Sequence, residues 1–182
     1  AVAGDDPSCK SSTLPSQSEP ALFDAMMPIF YPGNVQEILD LGRYAYEMSR
    51  YSGLWSGFKI VTDIADAFGS AIVHPERINI NIPDFQYNGE PWKHTQNAKL
   101  VGHHSLPTEK EIHLGRIEAA KHFLASNNIN KITIKSENDS IGIITAGKTC
   151  FRKIFWNNMN TSESSIIKSR VVHYQFGIIQ IV

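Results

Sequence analysis

Pro28-Ile-Phe-Tyr31-Pro-Gly-Asn34-Val-Gln-Glu37-Ile-Leu-Asp-Leu-Gly42-Arg-Tyr-Ala-Tyr-Glu-Met-Ser49-Arg-Tyr-Ser-Gly53-Leu-Trp-Ser-Gly-Phe-Lys59-Ile-Val61 is the stretch that decides the fold. Pro28–Tyr31 reads as a short strand, and Pro32-Gly33 makes a turn. Asn34 is an N-cap, with Glu37 three residues on to complete a capping box. Val35, Ile38, Gly42, Ala45 and Ser49 then recur at helical spacing, widened by Leu39 and Tyr46. Gly53 stands where a helix ends in a left-handed residue. Leu54–Val61 is almost wholly apolar, with one internal Lys59, and reads as a buried strand. Strand, capped helix and strand in succession are the grammar of an α/β domain.

Outward from that unit the signals weaken. Residues 4–20, rich in Ser with Pro7, Pro15 and Pro20, read as a loop, and 21–27 as a short helix. Ile78, Ile80 and Ile82 alternate with Asn79 and Asn81, which predicts a half-exposed strand stopped by Pro83. Residues 83–107 read as a long ordered linker lying on a neighbour. Thr108-x-x-Glu111 predicts a second helix start, with Leu114, Ile117, Ala120, Phe123 and Leu124 as its apolar stripe. That helix stops near Asn127-Asn128. Lys131–Ile134 is expected as an edge strand, Ser136–Ser140 as a turn and Ile141–Thr145 as a strand. A helix over 150–163 is opposed by its asparagines, and Val171–Val182 is β-rich and weakly charged.

Composition narrows the function classes. The 182 residues carry 17 Lys+Arg against 18 Asp+Glu, a formal charge of −1, so there is no electrostatic footprint for nucleic acid. No apolar run is long enough to span a membrane. Cys9 and Cys150 are the only cysteines; neither has a Cys-x-x-Cys partner, and they read as free thiols of a cytoplasmic protein. A disulfide between them stays an open alternative. The sequons at Asn138 and Asn160 read as chance matches. The histidines lack a His-Glu-x-x-His arrangement, and His103-His104 would face opposite ways in an extended segment, so no metal site is expected from them. The chain opens at Ala1 without an apolar leader, which reads as a piece of a longer protein.

Two segments offer chemistry. Gly142-Ile-Ile-Thr-Ala-Gly147-Lys148-Thr149 satisfies the P-loop expression letter for letter, and a small P-loop nucleotide-binding protein is the alternative it supports. Against it, Ile143-Ile144 look like strand where backbone amides should cradle phosphate, and Gly147 would instead relieve a tight turn. The loop Gly4–Glu19 places Asp5-Asp6, Lys10 and several hydroxyls together, a set able to hold a metal, a carboxylate or a phosphate; a plain Ser/Pro-rich surface loop is the competing reading. A non-catalytic interaction domain is a third possibility, opposed by the large apolar face that half an α/β domain should expose.

The run Gly4-Asp5-Asp6-Pro7-Ser8-Cys9-Lys10-Ser11-Ser12-Thr13-Leu14-Pro15-Ser16-Gln17-Ser18-Glu19 resembles the indolepyruvate ferredoxin oxidoreductases, of the 2-oxoacid:ferredoxin oxidoreductases. So do Pro32–Asp40, Ser52–Trp55, Phe58–Asp63, Pro91–Asn97 and Gly142–Thr149, in the same order as in the long single-chain bacterial form. The resemblance spans about residues 1–152; after Arg152 the family's charged, leucine-rich helix gives way here to Asn- and Ser-rich sequence. It implies an enzyme using thiamine diphosphate, Mg²⁺ and 4Fe-4S iron–sulfur clusters. The implied reaction decarboxylates a 2-oxoacid, an aryl pyruvate such as indolepyruvate, to an acyl-CoA, with coenzyme A as acyl acceptor and ferredoxin as electron acceptor.

The implied architecture is α/β. Residues 1–75 would be the C-terminal half of a pyrimidine-binding thiamine-diphosphate domain, 76–138 a connecting segment with one helix, and 139–182 the start of a transketolase C-terminal-like domain. The activating glutamate, the diphosphate site and the cluster cysteines would lie elsewhere in a longer, homo-oligomeric protein. The chain alone would then be inactive, its partners the other domains of the same polypeptide. Within it, Asp5, Asp6, Lys10, Ser11, Ser12 and Glu19 are the expected substrate-cleft or subunit-contact residues.

Overall fold

A computed structural model describes residues 1–99, 101–134, 141–148, 164–169 and 171–172. The protein is α/β. Its main sheet has the order β1-β3-β2-β9, built from Val2–Asp5 (β1), Ile29–Phe30 (β2), Gly57–Val61 (β3) and Val171–Val172 (β9). β1 and β2 both run parallel to the central β3, and β9 lies antiparallel along β2. Helix α1 (Glu19–Asp24) links β1 to β2, α2 (Val35–Ser52) links β2 to β3, and α3 (Thr62–Ala65) follows β3. β1 claims Gly4 and Asp5 from the expected loop. Four residues without hydrophobic alternation carry no strand signal, and it is pairing with Phe58–Val61 that makes them a strand.

The central helix forms as its caps require. The Asn34 side chain accepts from the Glu37 amide at 2.8 Å. The Glu37 carboxylate reaches one residue beyond the usual capping-box target, accepting from the Gly33 amide at 2.9 Å. Gly53 closes the helix at φ 78°, its amide bonded to the Ser49 carbonyl. A Cβ there would also lie 2.6 Å from the His94 ring. Asn34→Ala is expected to lower stability by about 1 kcal/mol, read as a shift in the urea midpoint at unchanged slope.

Of the stripe read in the sequence, Ala45 is in the core and Ile38 packs against it, while Leu41 and Met48 are core residues outside that stripe. Leu41, Ala45, Met48 and Ser52 are buried, and the first three pack with Phe30, Leu54, Phe58, Ile117, Ala120, Phe123 and Ile129. Ile38 and Ala45, with Gly42, Tyr46 and Ser49, also line an apolar groove of about 430 Å³ beside Val2, Phe58 and Ile60. The helix carries two apolar faces, and the periodicity cannot tell which one the second helical layer covers. Tyr46 and Trp55 stand exposed along that groove.

Beyond β3 the expected strand at Ile78–Ile82 is absent. The Asn127 side chain takes the place of a partner strand, accepting from the Asn81 amide and donating to its carbonyl, each at 2.7 Å. Within the expected linker, Gln86–Tyr87 (β4) and Glu90–Pro91 (β5) form a hairpin. Its turn residues Asn88 and Gly89 have φ 54° and 82°, the left-handed pair that an Asn-Gly turn supplies. Trp92 follows, its indole donating to the Tyr51 carbonyl at 2.9 Å.

The second helix starts earlier than its capping box suggests. Helix α4 spans Gly102–Glu111 with Pro107 inside it, and the Thr108 hydroxyl bonds back to the His104 carbonyl at 3.0 Å instead of capping. His103 and His104 therefore sit on a helix with ring centroids 4.0 Å apart, not on opposite faces of an extended segment. A π-helical turn, Ile112–Arg116, leads into α5 (Ile117–Ser126). At Gly115 a Cβ would lie 2.7 Å from Trp92, so the turn admits the indole only because that residue is glycine. Arg116 fixes the turn, pairing with Glu111 at 2.8 Å and donating to the Gly53 carbonyl at 2.9 Å. Of the expected stripe, Ile117, Ala120 and Phe123 are buried and Leu114 is 54% exposed.

A third sheet has the order β6-β8-β7, from Lys131–Ile134 (β6), Ile141–Ala146 (β7) and Ser164–Ser169 (β8). β6 is an edge strand and β7 a strand, as expected. The turn at 136–140, residues 150–163 and the tail beyond Val172 lie outside the described residues. Among the described residues no helix is long and apolar enough to cross a membrane.

Candidate functional site

Because β1, β2 and β3 run parallel, their carboxyl ends meet along one edge of the sheet. Asp5-Asp6 leave β1 there, Tyr31 leaves β2, and Thr62-Asp63 leave β3. This is the edge at which open α/β sheets present their loops to ligands. A cleft of about 150 Å³ lies between them, lined by Asp6, Pro7, Ser8, Lys10, Tyr31, Val61, Thr62, Asp63 and Lys148.

Asp6 organises the loop of residues 6–17. One carboxylate oxygen accepts from the Lys10 amide at 2.9 Å and the other from the amides of Ser11 and Ser12 at 2.8 and 2.9 Å. Its own amide donates to the Ser16 hydroxyl at 2.7 Å, and its carbonyl accepts from the amides of Cys9 and Ser16. The Ser11 and Lys10 amides hold its carboxyl well below the usual carboxylate range, with Ser12 adding to them against the opposing effect of burial. Ser11 thus serves the loop through its backbone, and Ser12 through its backbone and its hydroxyl. Cys9, exposed, takes φ 52° at the bend; Cys150 lies outside the described residues.

Beneath the loop is a buried ionic group. In the β1–β3 register Ala3 is opposite Lys59 and Asp5 opposite Val61, so pleat parity puts Asp5 and Lys59 on one face as diagonal neighbours. The Lys59 ammonium lies 3.1 Å from Asp5 and also pairs with Glu19 at the start of α1. It stands 4.8 Å from the centre of the Tyr31 ring, a cation–π contact. Ser18 donates to Asp5 from its amide at 3.0 Å and its hydroxyl at 2.9 Å.

Burial pushes Asp5 up, but Ser18 and Lys59 outweigh it and leave the carboxyl lowered. Burial likewise opposes the Lys59 charge, and Glu19 and Asp5 outweigh it, raising that group. Burial raises Tyr31, against the pull of Lys59, so its hydroxyl stays protonated at neutral pH. Oε2 of Glu19 is buried without a hydrogen-bond partner.

All six sequence candidates thus fall into two groups: Asp5 and Glu19 on the Lys59 ammonium, and Asp6 with the amides of Lys10, Ser11 and Ser12. Lys10 also pairs across the cleft with Asp63. Sequence reasoning missed Lys59, Tyr31, Asp63 and Lys148. Lys59 had left a signal, since a lone cation inside an apolar strand needs buried acids beside it. The others join only through the parallel register and the return of the chain after β7.

The segment matching the P-loop expression is strand, as Ile143-Ile144 suggest. Gly142–Ala146 are strand residues registered against Ser165–Ser169, so the backbone is committed to a ladder and makes no phosphate-cradling loop there. No group of three His, Cys, Asp or Glu side chains able to hold a metal occurs among the described residues.

Asp5, Asp6 and Glu111 all have lowered pKa values in the folded chain. Their contribution to stability is complete above the unfolded carboxylate range, roughly pH 4, and fades as pH falls through the folded values. The denaturant midpoint should therefore hold from neutrality to about pH 5 and drop below about pH 4, less steeply in Asp6→Asn.

Comparison with protein-family models, curated proteins and solved structures gives no match to this chain.

Proposed function

We propose that the chain is part of a thiamine-diphosphate-dependent oxidoreductase that oxidatively decarboxylates a 2-oxoacid, indolepyruvate or another aryl pyruvate, to an acyl-CoA with ferredoxin as electron acceptor. The observation that carries this reading is the position of the Asp5–Glu19 loop. The stretch that resembles the family most specifically is the one that walls the cleft at the carboxyl ends of three parallel strands. In this reading residues 1–75 belong to the pyrimidine-type domain, 76–138 connect, and 139–182 open the transketolase C-terminal-like domain.

In this reading a 4Fe-4S cluster, which takes four thiolates, draws its ligands from other parts of the polypeptide, since this sequence has two cysteines. No chemical step is therefore assigned to these side chains. Their part is to shape the cleft: Asp6 ties the loop, the Lys59 group seats it, and Lys10 with Asp63 spans its mouth. The exposed apolar groove beside α2 supports a place against further domains or a second subunit.

The complete coding sequence is the test. A continuous frame encoding an upstream pyrimidine-activating glutamate, a diphosphate-binding domain and clustered cysteines is expected. A frame that lacks the diphosphate-binding domain and the cysteines removes the proposal.

A further inference from the structure

We infer that two copies of this chain associate about a two-fold axis at Ala3, with strand β1 pairing antiparallel to its mate and the two grooves beside α2 closing over the seam. The main sheet ends at β1 on this side, and among the described residues no strand lies beyond it. An unpaired strand edge beside an apolar groove is a surface that a second chain can extend.

The backbone fixes the register of such a pair. Ala1 donates to the Ser56 carbonyl at 2.7 Å and accepts from the Phe58 amide at 2.7 Å. Peptide groups alternate sides along a strand, so Ala1, Ala3 and Asp5 turn theirs toward β3, and Val2 and Gly4 turn theirs outward. With Ala3 on the axis, Val2 of each copy stands opposite Gly4 of the other, and each such pair exchanges both of its backbone hydrogen bonds. Asp5 and Asp6, held by Ser18 and by their own loop, stay outside the pairing. The side chains agree with this register. Val2 and Gly4 share the face of Phe58 and Ile60, which is the face of the groove. Val2 is 76% exposed, and a Cβ at Gly4 would meet nothing within 4 Å. The pairing sets the isopropyl group of one copy across from the empty place on the other.

The axis stands perpendicular to the sheet, so both α2 helices lie on one face. β3 and its mate are then three strand spacings apart, about 14 Å. Directly packed helices approach to about 8–10 Å, so the space between the two helices calls for large side chains. Tyr46 and Trp55 project there, 77% and 70% exposed, and a Cβ at Gly42 on the groove wall would meet nothing within 4 Å. Knob and hole lie on one patch, as an isologous interface requires. No charged side chain lines the groove, so bringing it against its own copy opposes no like charges. An aromatic side chain buries about 150–250 Å², so covering Tyr46 and Trp55 in both copies takes roughly 450–750 Å² from water. That is a large part of the lower limit of about 1,200 Å² for a specific interface, and Val2, the groove walls and the strand edges add to it.

Sedimentation velocity on the full 182-residue chain, from about 1 to 100 μM, should give a mass twice that of one chain. Register is read by cross-linking in a Cys9→Ser, Cys150→Ser background. Ala3→Cys places two thiols across the axis in a non-hydrogen-bonded pair, with Cα atoms about 4.5 Å apart and within disulfide reach, so oxidation should join the copies. Val2→Cys, which faces Gly4 of the mate, should not. Gly4→Pro removes an outward N–H and leaves the β1–β3 ladder whole, and Tyr46→Lys sets two ammonium groups into the seam. Each should raise the dimer dissociation constant at least about tenfold with an unchanged circular dichroism spectrum. Phe68→Lys, at an exposed aromatic that does not line the groove, should leave the mass unchanged. A monomer throughout the concentration range overturns the inference. So does a dimer that Ala3→Cys joins no better than Val2→Cys, or a folded Tyr46→Lys variant that dimerises as tightly as the native chain. No thiamine cofactor enters these measurements, so their failure is separate from that of the oxidoreductase reading.

Discussion

Lys59→Met is expected to lower the unfolding free energy by about 3–5 kcal/mol, the cost of leaving a buried charge group without its counter-ion. The Lys59 side chain is 5% exposed, and the carboxylates it pairs with, Asp5 and Glu19, are 2% and 16% exposed. Methionine fills the same volume in the strand, so packing is nearly conserved and the electrostatic loss stands alone. What remains are two carboxylates under one loop, with Ser18 as a donor to Asp5 only.

Against a total stability of about 5–15 kcal/mol for a domain of this kind, such a loss is a large fraction. Urea denaturation followed by circular dichroism measures it. Combining Lys59→Met with Asp5→Asn and Glu19→Gln should recover most of the loss, because neutral polar groups no longer demand a cation. A single variant within about 1 kcal/mol of the native chain would show that the triad is solvated and contributes no more than a surface pair.

Phe123→Ala should cost about 3–5 kcal/mol, through lost transfer energy and the cavity left behind. The ring is fully buried. It packs in the cluster that joins α5 to α2 and to the β2–β3 strands, with its centre 6.0 Å from the Tyr51 ring. Leu114→Ala is the matched control. The sequence stripe gives both residues to the core, but Leu114 is 54% exposed, and its truncation should stay within about 0.5 kcal/mol. Equal losses at the two positions would restore the sequence stripe and displace the π-helical turn that rotates Leu114 outward.

Much of the first unit was legible because its signals are local. Asn34, Glu37 and Gly53 bracket α2 as caps do, since each bonds to backbone within a few residues. Lys131–Ile134 and Ile141–Ala146 are strands as their composition suggests. Asn88-Gly89 is an equally local signal, and it turns a hairpin inside the stretch expected as linker. The misread elements depend on distant partners. Val2–Asp5 is a strand only against β3, and Ile78–Ile82 is not one because the Asn127 side chain satisfies Asn81 in its place.

The candidate site divides in the same way. The sequence placed Asp5, Asp6, Lys10, Ser11, Ser12 and Glu19 in one loop, and the loop's own bonds, Asp6 to three amides, are within six residues. Lys59, Tyr31, Asp63 and Lys148 come from four other places in the chain. Parallel pairing alone brings three strand ends together, and Gly147 against Tyr31 brings the fourth. By itself the sequence determined what short-range hydrogen bonding and apolar periodicity encode: the capped helix, the α/β class and a polar loop rich in acids and hydroxyls. Tertiary structure decided which face of α2 is core, where β1 pairs, and which charges share the cleft, because burial and charge pairing are settled by neighbours far apart in the chain.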